Sequence, residues 1–298
     1  MTLETRKSLV SLIVPNKNNG EFLRDSLNSI NEQTYKNIEI ILIDSNSKDD
    51  SSIIAKTTKN VKFYQQEDKS PSHAVAIGIS KASGEFLMFL TSTDLLLDKE
   101  FIEKSVEILN SDDSISLVYG NHGVFKDNKI EIPPKNKWNL SAYSHGKLFL
   151  HWLITSETFI EMSYIIRSKV ALNCVGNLES YDINFNESDE DILNNLKLNF
   201  MKLGYITKHI PMRVVAFRIH EGQISGSSES LKIFHKHMKK YFDDCNLIRR
   251  KVLEERKFYF LNSNSENIES IRINKEIVLL KRFIYRGITK TKMVLEKF

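Results

Sequence analysis

The sequence is poor in cysteine. Its two thiols, Cys174 and Cys245, stand in 298 residues without metal-ligand spacing, so neither a zinc cluster nor a disulfide framework is expected. Two buried, inert thiols in a reducing cytosol is the reading that fits. No run of about 18 apolar residues exists, so no helix is expected to cross a membrane. An apolar N-terminal segment is also missing, and no signal peptide is expected. Charge of one sign is hardly in excess: 42 Lys and Arg face 38 Asp and Glu, for a formal net charge of +4. No basic run is interleaved with aromatics, so nucleic acid is not an expected partner. No GxGxxG follows the first apolar run, which removes the dinucleotide fingerprint, and no Gly-rich phosphate loop appears. What is left is a chain expected in the cytoplasm, 41% hydrophobic and long enough for one large core or for a core with a smaller appended domain.

What is present is alternation. Apolar runs at 9–14, 38–43, 61–64, 85–90 and 115–119 read as strands, the first ended by Pro15. Between them, helical spacing covers Phe22 to Ile30, 50–58, 72–82 and 99–110. Strands that alternate with crossover helices form a parallel sheet. The run Phe86–Leu90, opened by Gly84, stops abruptly at Thr91-Ser92-Thr93-Asp94. Ligands of open α/β sheets bind beyond the carboxyl ends of the strands. Three polar strand ends, Asn16–Asn18, Asp44 and Thr91–Asp94, are therefore expected on one edge.

The stretch 121–150 is less regular, broken by Pro133-Pro134. Strands are expected again at 162–167 and 212–219, with an acidic loop at 177–190 and a helix from Ile192 to Gly204. Asp189-Glu190-Asp191 begin that helix, where carboxylates are favoured by the helix dipole and also cap helices routinely. A Gly/Ser-rich loop follows His220. Beyond 230 the pattern reads as a basic helix to 260, a linker at 261–267 and a second basic helix over 268–298. That last helix puts Ile273, Ile277, Leu280, Ile284 and Ile288 on one stripe. It could lie on an anionic membrane surface, pack on its own domain, or join a second subunit.

Three segments in order, Val10–Asn18, Ile40–Ser47 and Gly84–Leu95, resemble glycosyltransferase family 2. The likeness continues at Ser188–Leu198, Gly204-Tyr205 and Phe217–Ser225, and so runs from about residue 8 to 226. It implies a GT-A nucleotide-sugar-binding fold: a mostly parallel central sheet flanked by helices, with a helical extension over 227–298. The donor half would be about 1–120 and the acceptor half about 121–226. It also implies an inverting transferase, cytoplasmic or peripheral at the inner face of the membrane. Such an enzyme moves a sugar from a nucleotide diphosphate to a glycan or lipid-linked acceptor hydroxyl, with Mg²⁺ or Mn²⁺ neutralising the leaving diphosphate.

Carried onto this sequence, the resemblance makes Asp94 and His220 the metal ligands. It makes Pro15, Asn18, Asp44, Asp68 and Arg218 contacts to the donor. The general base for the attacking hydroxyl would come from the acidic trio, with Asp191, paired with Glu190, ahead of Asp189. The sequence also departs from the family. Thr91 and Thr93 stand where acidic residues are usual, Ser45 where a second Asp is, Lys17 where an aromatic often is, and His73 where Asp is common. A catalytically weakened nucleotide-binding or scaffold protein of the same fold is the alternative these departures favour. Retained acidic or His residues in every loop favour the enzyme.

Overall fold

The computed structural model describes residues 7–126, 129–131, 144–157, 162–184, 187, 191–220, 228–264 and 266–295. Strands β1 (Val10–Asn16), β2 (Ile38–Asp44), β3 (Val61–Gln65) and β4 (Phe86–Phe89) lie parallel in the order β3-β2-β1-β4. Helices α1 (Gly20–Asn31), α2 (Ser51–Thr57) and α3 (Pro71–Lys81) make the crossovers. Helices on both faces leave the inner strands no wet side, which is why they read as unbroken apolar runs. Ile13, Ile41, Leu42 and Met88 are all fully buried. Gly84 opens β4 because nothing larger fits: a Cβ there would come within 2.7 Å of the Leu9 carbonyl and the Ser11 nitrogen.

The order has a consequence for ligands. The chain steps outward from β1 through β2 to β3, then returns to place β4 on the other side of β1. The crevice between the carboxyl ends of β1 and β4 is thus a topological switch point.

Beyond β4 come β5 (Leu95–Leu96), α4 (Phe101–Ser111), β6 (Ile115–Lys126), β7 (Lys129–Glu131), α5 (His145–Thr155), β8 (Tyr164–Arg167), α6 (Ser168–Val175), a 3-10 turn (Leu178–Tyr181), α7 (Ile192–Leu203) and β9 (Ile206–Arg218). β8 slots antiparallel between β4 and β6, β6 runs parallel to β9, and β5 pairs antiparallel with β9. The sheet is parallel in its first four strands and mixed after them. β6 and β9 are both longer than their apolar runs suggest. Their pairing shifts register between Tyr119 and His122, opposite Pro211. Such a bulge accommodates a residue that cannot donate to the ladder.

The C-terminal part differs from the sequence expectation. Helix α8 (Ser228–Glu255) ends early, and strands β10 (Lys257–Leu261) and β11 (Asn267–Arg272) form an antiparallel hairpin where a linker and the start of a helix were expected. Alternation explains it: Phe258 and Phe260 turn inward onto Phe149, with ring centroids 3.9 and 5.6 Å away, while Lys257 and Tyr259 stay exposed. Helix α9 then spans Lys275–Leu295. The hairpin is tied to the body at Gly204, the left-handed cap of α7, whose carbonyl accepts from Leu261 N–H at 2.7 Å. One continuous apolar cluster reaches from Val10 to Tyr241, Val252, Phe260 and Val278. Cys174 and Cys245 are free and buried in it, and burial pushes both thiols up.

Candidate functional site

The ends of β1 and β2 are joined by a polar knot. Asn16 Nδ2 donates to Asp44 Oδ1 at 2.7 Å, and the Ser47 hydroxyl and backbone N–H donate to the same carboxylate at 2.6 and 2.9 Å. Ser47 Oγ in turn accepts from Asn18 N–H, and Asn18 Oδ1 accepts from Lys48 N–H, both at 2.8 Å. Asn18 can close this turn because it holds φ at +51°, a conformation Asn tolerates better than most side chains. Asp44 is fully buried with both oxygens engaged, so in this state it fastens the two loops together. Asn16 is also buried, and its Oδ1 meets no donor among the described residues. A buried amide oxygen without a donor is costly, and at a sheet edge it marks a place for a ligand N–H or O–H. Pro15, half-buried beside it, is the next-to-last residue of β1.

The β4 tip is bound to the β1 loop by Asn19 Nδ2, which donates to Ser92 Oγ at 2.9 Å. Asp94 is 4% exposed. Its Oδ1 accepts from Arg218 N–H at 3.0 Å and from the Thr93 hydroxyl at 3.4 Å. Burial raises its pKa, against the hydrogen bonds from Thr91, Arg218 and Thr93 that lower it. Arg218, at the end of β9, gives Nε to the Thr93 carbonyl at 2.9 Å and Nη2 to Asp25 at 3.3 Å. Its guanidinium lies between Phe22 and Phe125, 4.8 and 4.7 Å from their rings. The His220 ring meets the same Phe22, centroids 4.8 Å apart. Arg218 and His220 therefore share one aromatic of α1, and the backbone of Arg218 links that pair to Asp94.

On the other side of β1 from β4, Lys17 forms an ion pair with Asp68, both half-exposed. The N-terminus of α3 reaches the 3-10 turn and the start of α7. Lys69 and His73 both contact Asp182, His73 at 3.1 Å, and burial lowers the His73 pKa. Ser72 Oγ accepts from Ile192 N–H at 3.2 Å and lies 3.5 Å from Asp191 Oδ2. Asp191 is the N-cap of α7: its Oδ1 accepts from Asn194 N–H at 2.8 Å. Helix α7 spans Ile192–Leu203, so Asp191 stands at its cap and outside its first turn. Asp189 and Glu190 lie outside the described residues.

Sequence reasoning put Asn16 on the ligand edge without giving it a contact, and missed Ser72, Phe22 and Phe125 as site residues. Asn16 carried a usable signal, an amide at the last position of a buried strand. Phe22 and Phe125 carried none, since each reads as an ordinary apolar residue until the tips of β4, β6 and β9 meet.

The model of glycosyl transferase family 2 matches residues 11–172, more than half of the chain. An uncharacterized glycosyltransferase of Rickettsia conorii is 30% identical over 146 residues, covering 45% of this chain and 24% of that protein. The Escherichia coli UDP-Glc:alpha-D-GlcNAc-diphosphoundecaprenol beta-1,3-glucosyltransferase WfgD is 30% identical over 126 residues, covering 41% and 49%. The matched stretch is thus half or less of either relative's length. Among solved structures, Staphylococcus aureus TarS in complex with UDP-GlcNAc superposes with a TM-score of 0.55 at 16% identity, over 79% of this chain and 73% of that one. Glucosyl-3-phosphoglycerate synthase from Mycobacterium tuberculosis, with Mn²⁺, UDP and glucosyl-3-phosphoglycerate, gives 0.54 at 16% identity over 80% of both chains. These two likenesses concern the fold.

Proposed function

The chain belongs to glycosyl transferase family 2 and is a glycosyltransferase, and from that premise we propose an inverting transfer from a nucleotide-diphosphate sugar to a glycan or lipid-linked acceptor hydroxyl. The observation that carries this reading is the joining of the β1 end to the β2 end through Asn16 and Asp44 and to the β4 tip through Asn19 and Ser92, with a buried Asn16 oxygen left for a ligand donor. TarS holds UDP-GlcNAc, and the mycobacterial synthase holds UDP with Mn²⁺, on the same fold.

The β1 and β2 loops bind the nucleoside, with Asn16 as acceptor and the Lys17–Asp68 pair at the rim. Asp94 and His220 are the residues that would hold Mg²⁺ or Mn²⁺. The donor types fit, a hard carboxylate oxygen and an imidazole nitrogen: Arg218 gives its N–H to Asp94 and shares Phe22 with His220, and a cation beside Asp94 would offset the cost of burying that carboxylate. No group of three or more His, Cys, Asp or Glu is gathered among the described residues. The cation would therefore complete its shell with phosphate oxygens and water, as Mg²⁺ commonly does. When bound, it neutralises charge on the departing diphosphate. Arg218 holds Asp94 and the Thr93 carbonyl in place. Asp191, fixed by α7 and Ser72, takes the proton from the acceptor hydroxyl as that oxygen attacks the anomeric carbon.

A weakened, nucleotide-binding protein is the second reading. It is favoured by the Thr91 and Thr93 hydroxyls turned onto Asp94. A panel of UDP-, GDP- and CDP-sugars, assayed with Mn²⁺ or EDTA, separates the two. Metal-dependent sugar transfer or donor hydrolysis is expected. Nucleotide binding without turnover of any donor would favour the second reading, and no binding at all would sink both.

A further inference from the structure

Helix α9 turns one face to the protein and a different, apolar face to solvent. Its setting is fixed by named contacts. Arg282 donates to the Ile154 carbonyl at the end of α5 at 2.6 Å, and Tyr285 OH to Glu157 at 2.6 Å. Val278 is buried in the main core. Val278, Arg282 and Tyr285 follow the spacing i, i+4, i+7 and define the inward side. Arg249 joins Arg282 there, giving Nε to the Leu153 carbonyl, so two cations meet the negative end of α5.

The opposite side is left uncovered by the described residues. Ile277, Leu280 and Ile284, at i, i+3, i+7, are exposed with Phe283 between them; Phe283 is 77% and Leu280 60% accessible. A contiguous apolar stripe of this kind on a folded protein marks an interaction surface. Exposed Lys281 and Arg286 flank it. Along the whole of α9 the sequence has six Lys or Arg against one Glu. Among the described residues no helix is long and apolar enough to cross a membrane.

We propose that α9 is an in-plane anchor for an anionic phospholipid bilayer. Ile277, Leu280, Phe283 and Ile284 enter the boundary between headgroups and acyl chains, and Lys281 and Arg286 meet lipid phosphates. Charge selects this occupant over a second copy of the chain. Pairing two α9 helices through the stripe would bring their basic flanks together, whereas an anionic surface complements them. The inference rests on α9 alone and is independent of the transfer chemistry.

The test is co-sedimentation of the full chain with phosphatidylglycerol/phosphatidylcholine vesicles and with pure phosphatidylcholine vesicles, with no donor or acceptor present. Binding to the anionic vesicles is expected, falling as salt rises. Phe283→Asp is expected to weaken it about tenfold or more, and Lys281→Glu combined with Arg286→Glu by a similar factor. Because these side chains are exposed, helix content and melting should stay unchanged, which circular dichroism checks. Equal binding of Phe283→Asp and wild type, or no preference for anionic vesicles, would overturn the proposal. So would a solution dimer that Phe283→Asp converts to monomer.

Discussion

The backbone N–H of Arg218 donates to Asp94 Oδ1 at 3.0 Å and so joins two residues 124 positions apart. The link is a continuation of the pairing of β5 with β9, where Leu95 faces Ala216. A strand of two residues is enough to carry the β4 tip onto the end of β9. The side chain of Arg218 then reaches back to the Thr93 carbonyl. The β4 tip is therefore held from both the main chain and the side chain of one residue.

Arg218→Ala removes the second hold. The Thr93 carbonyl loses its donor, and the Phe22 and Phe125 rings lose the cation between them. A stability loss of about 1–3 kcal/mol is expected. Displacement of Asp94 should lower kcat by roughly 100-fold. Arg218→Lys keeps the charge but cannot serve Thr93 and Asp25 together, and should fall between the two. Thermal melting and donor turnover on the same preparations check both effects.

Asp94→Asn should separate folding from chemistry. The amide oxygen still accepts from Arg218 N–H, and the neighbouring threonine hydroxyls can reverse to meet the amide. Burial already disfavours the charged carboxylate, so removing the charge costs the fold little, and the melting temperature should hold or rise. Metal-stimulated transfer should drop by about 100-fold or more. A parallel loss of melting temperature would instead make Asp94 chiefly a structural residue.

Much of this was legible in the sequence, and the reason differs by region. Residues 10–119 alternate buried runs with amphipathic helices, so local patterning and global topology agree there. The β10–β11 hairpin was missed although Phe258 and Phe260 alternate with polar neighbours, because the Lys-rich run before them continues a helical pattern. Asp94 could be placed at the ligand edge from its strand alone. That Asp44 is enclosed could not, since enclosure depends on Asn16 and Ser47 arriving from two different loops. Asp44→Ala would strip Ser47 and the Asn16 amide of their acceptor. About 1–3 kcal/mol of stability should go with it, together with a raised KM for the donor as both loops loosen.

Asp191→Asn is a clean probe of the general base because Asn caps a helix about as well as Asp. Helix α7 should keep its Asn194 N–H bond and its melting behaviour, while the group that takes the acceptor proton is gone. Transfer should fall by roughly 100-fold or more with donor binding intact, and Asp189→Asn should remain active. The reverse pattern would move the base two residues upstream and leave Asp191 as a cap.

Glu39 offers a test of the opposite edge of the sheet, away from the chemistry. It is buried, and it accepts from Lys62 at 2.6 Å, from Ser83 N–H and hydroxyl at 2.8 Å each, and from the Ser11 hydroxyl. Burial alone would raise its pKa, but the bonds from Lys62, Ser11 and Ser83 outweigh it and lower the value from 4.5 to about 2. A depressed acid pKa means the folded state holds the proton less readily than the unfolded chain. Its stabilising contribution is therefore whole above pH 4.5 and disappears as pH falls toward about 2. Glu39→Gln should lower the urea midpoint at neutral pH, and the two proteins should converge as the medium is acidified through that window. The Lys62 ammonium is half-exposed and can turn to water, so the variant should still fold. Since Ser11, Ser83 and Gly84 lie at the strand starts, KM for the donor should not move. A midpoint difference that persists unchanged at pH 2 would show that packing, and not the Glu39 charge, carries the effect.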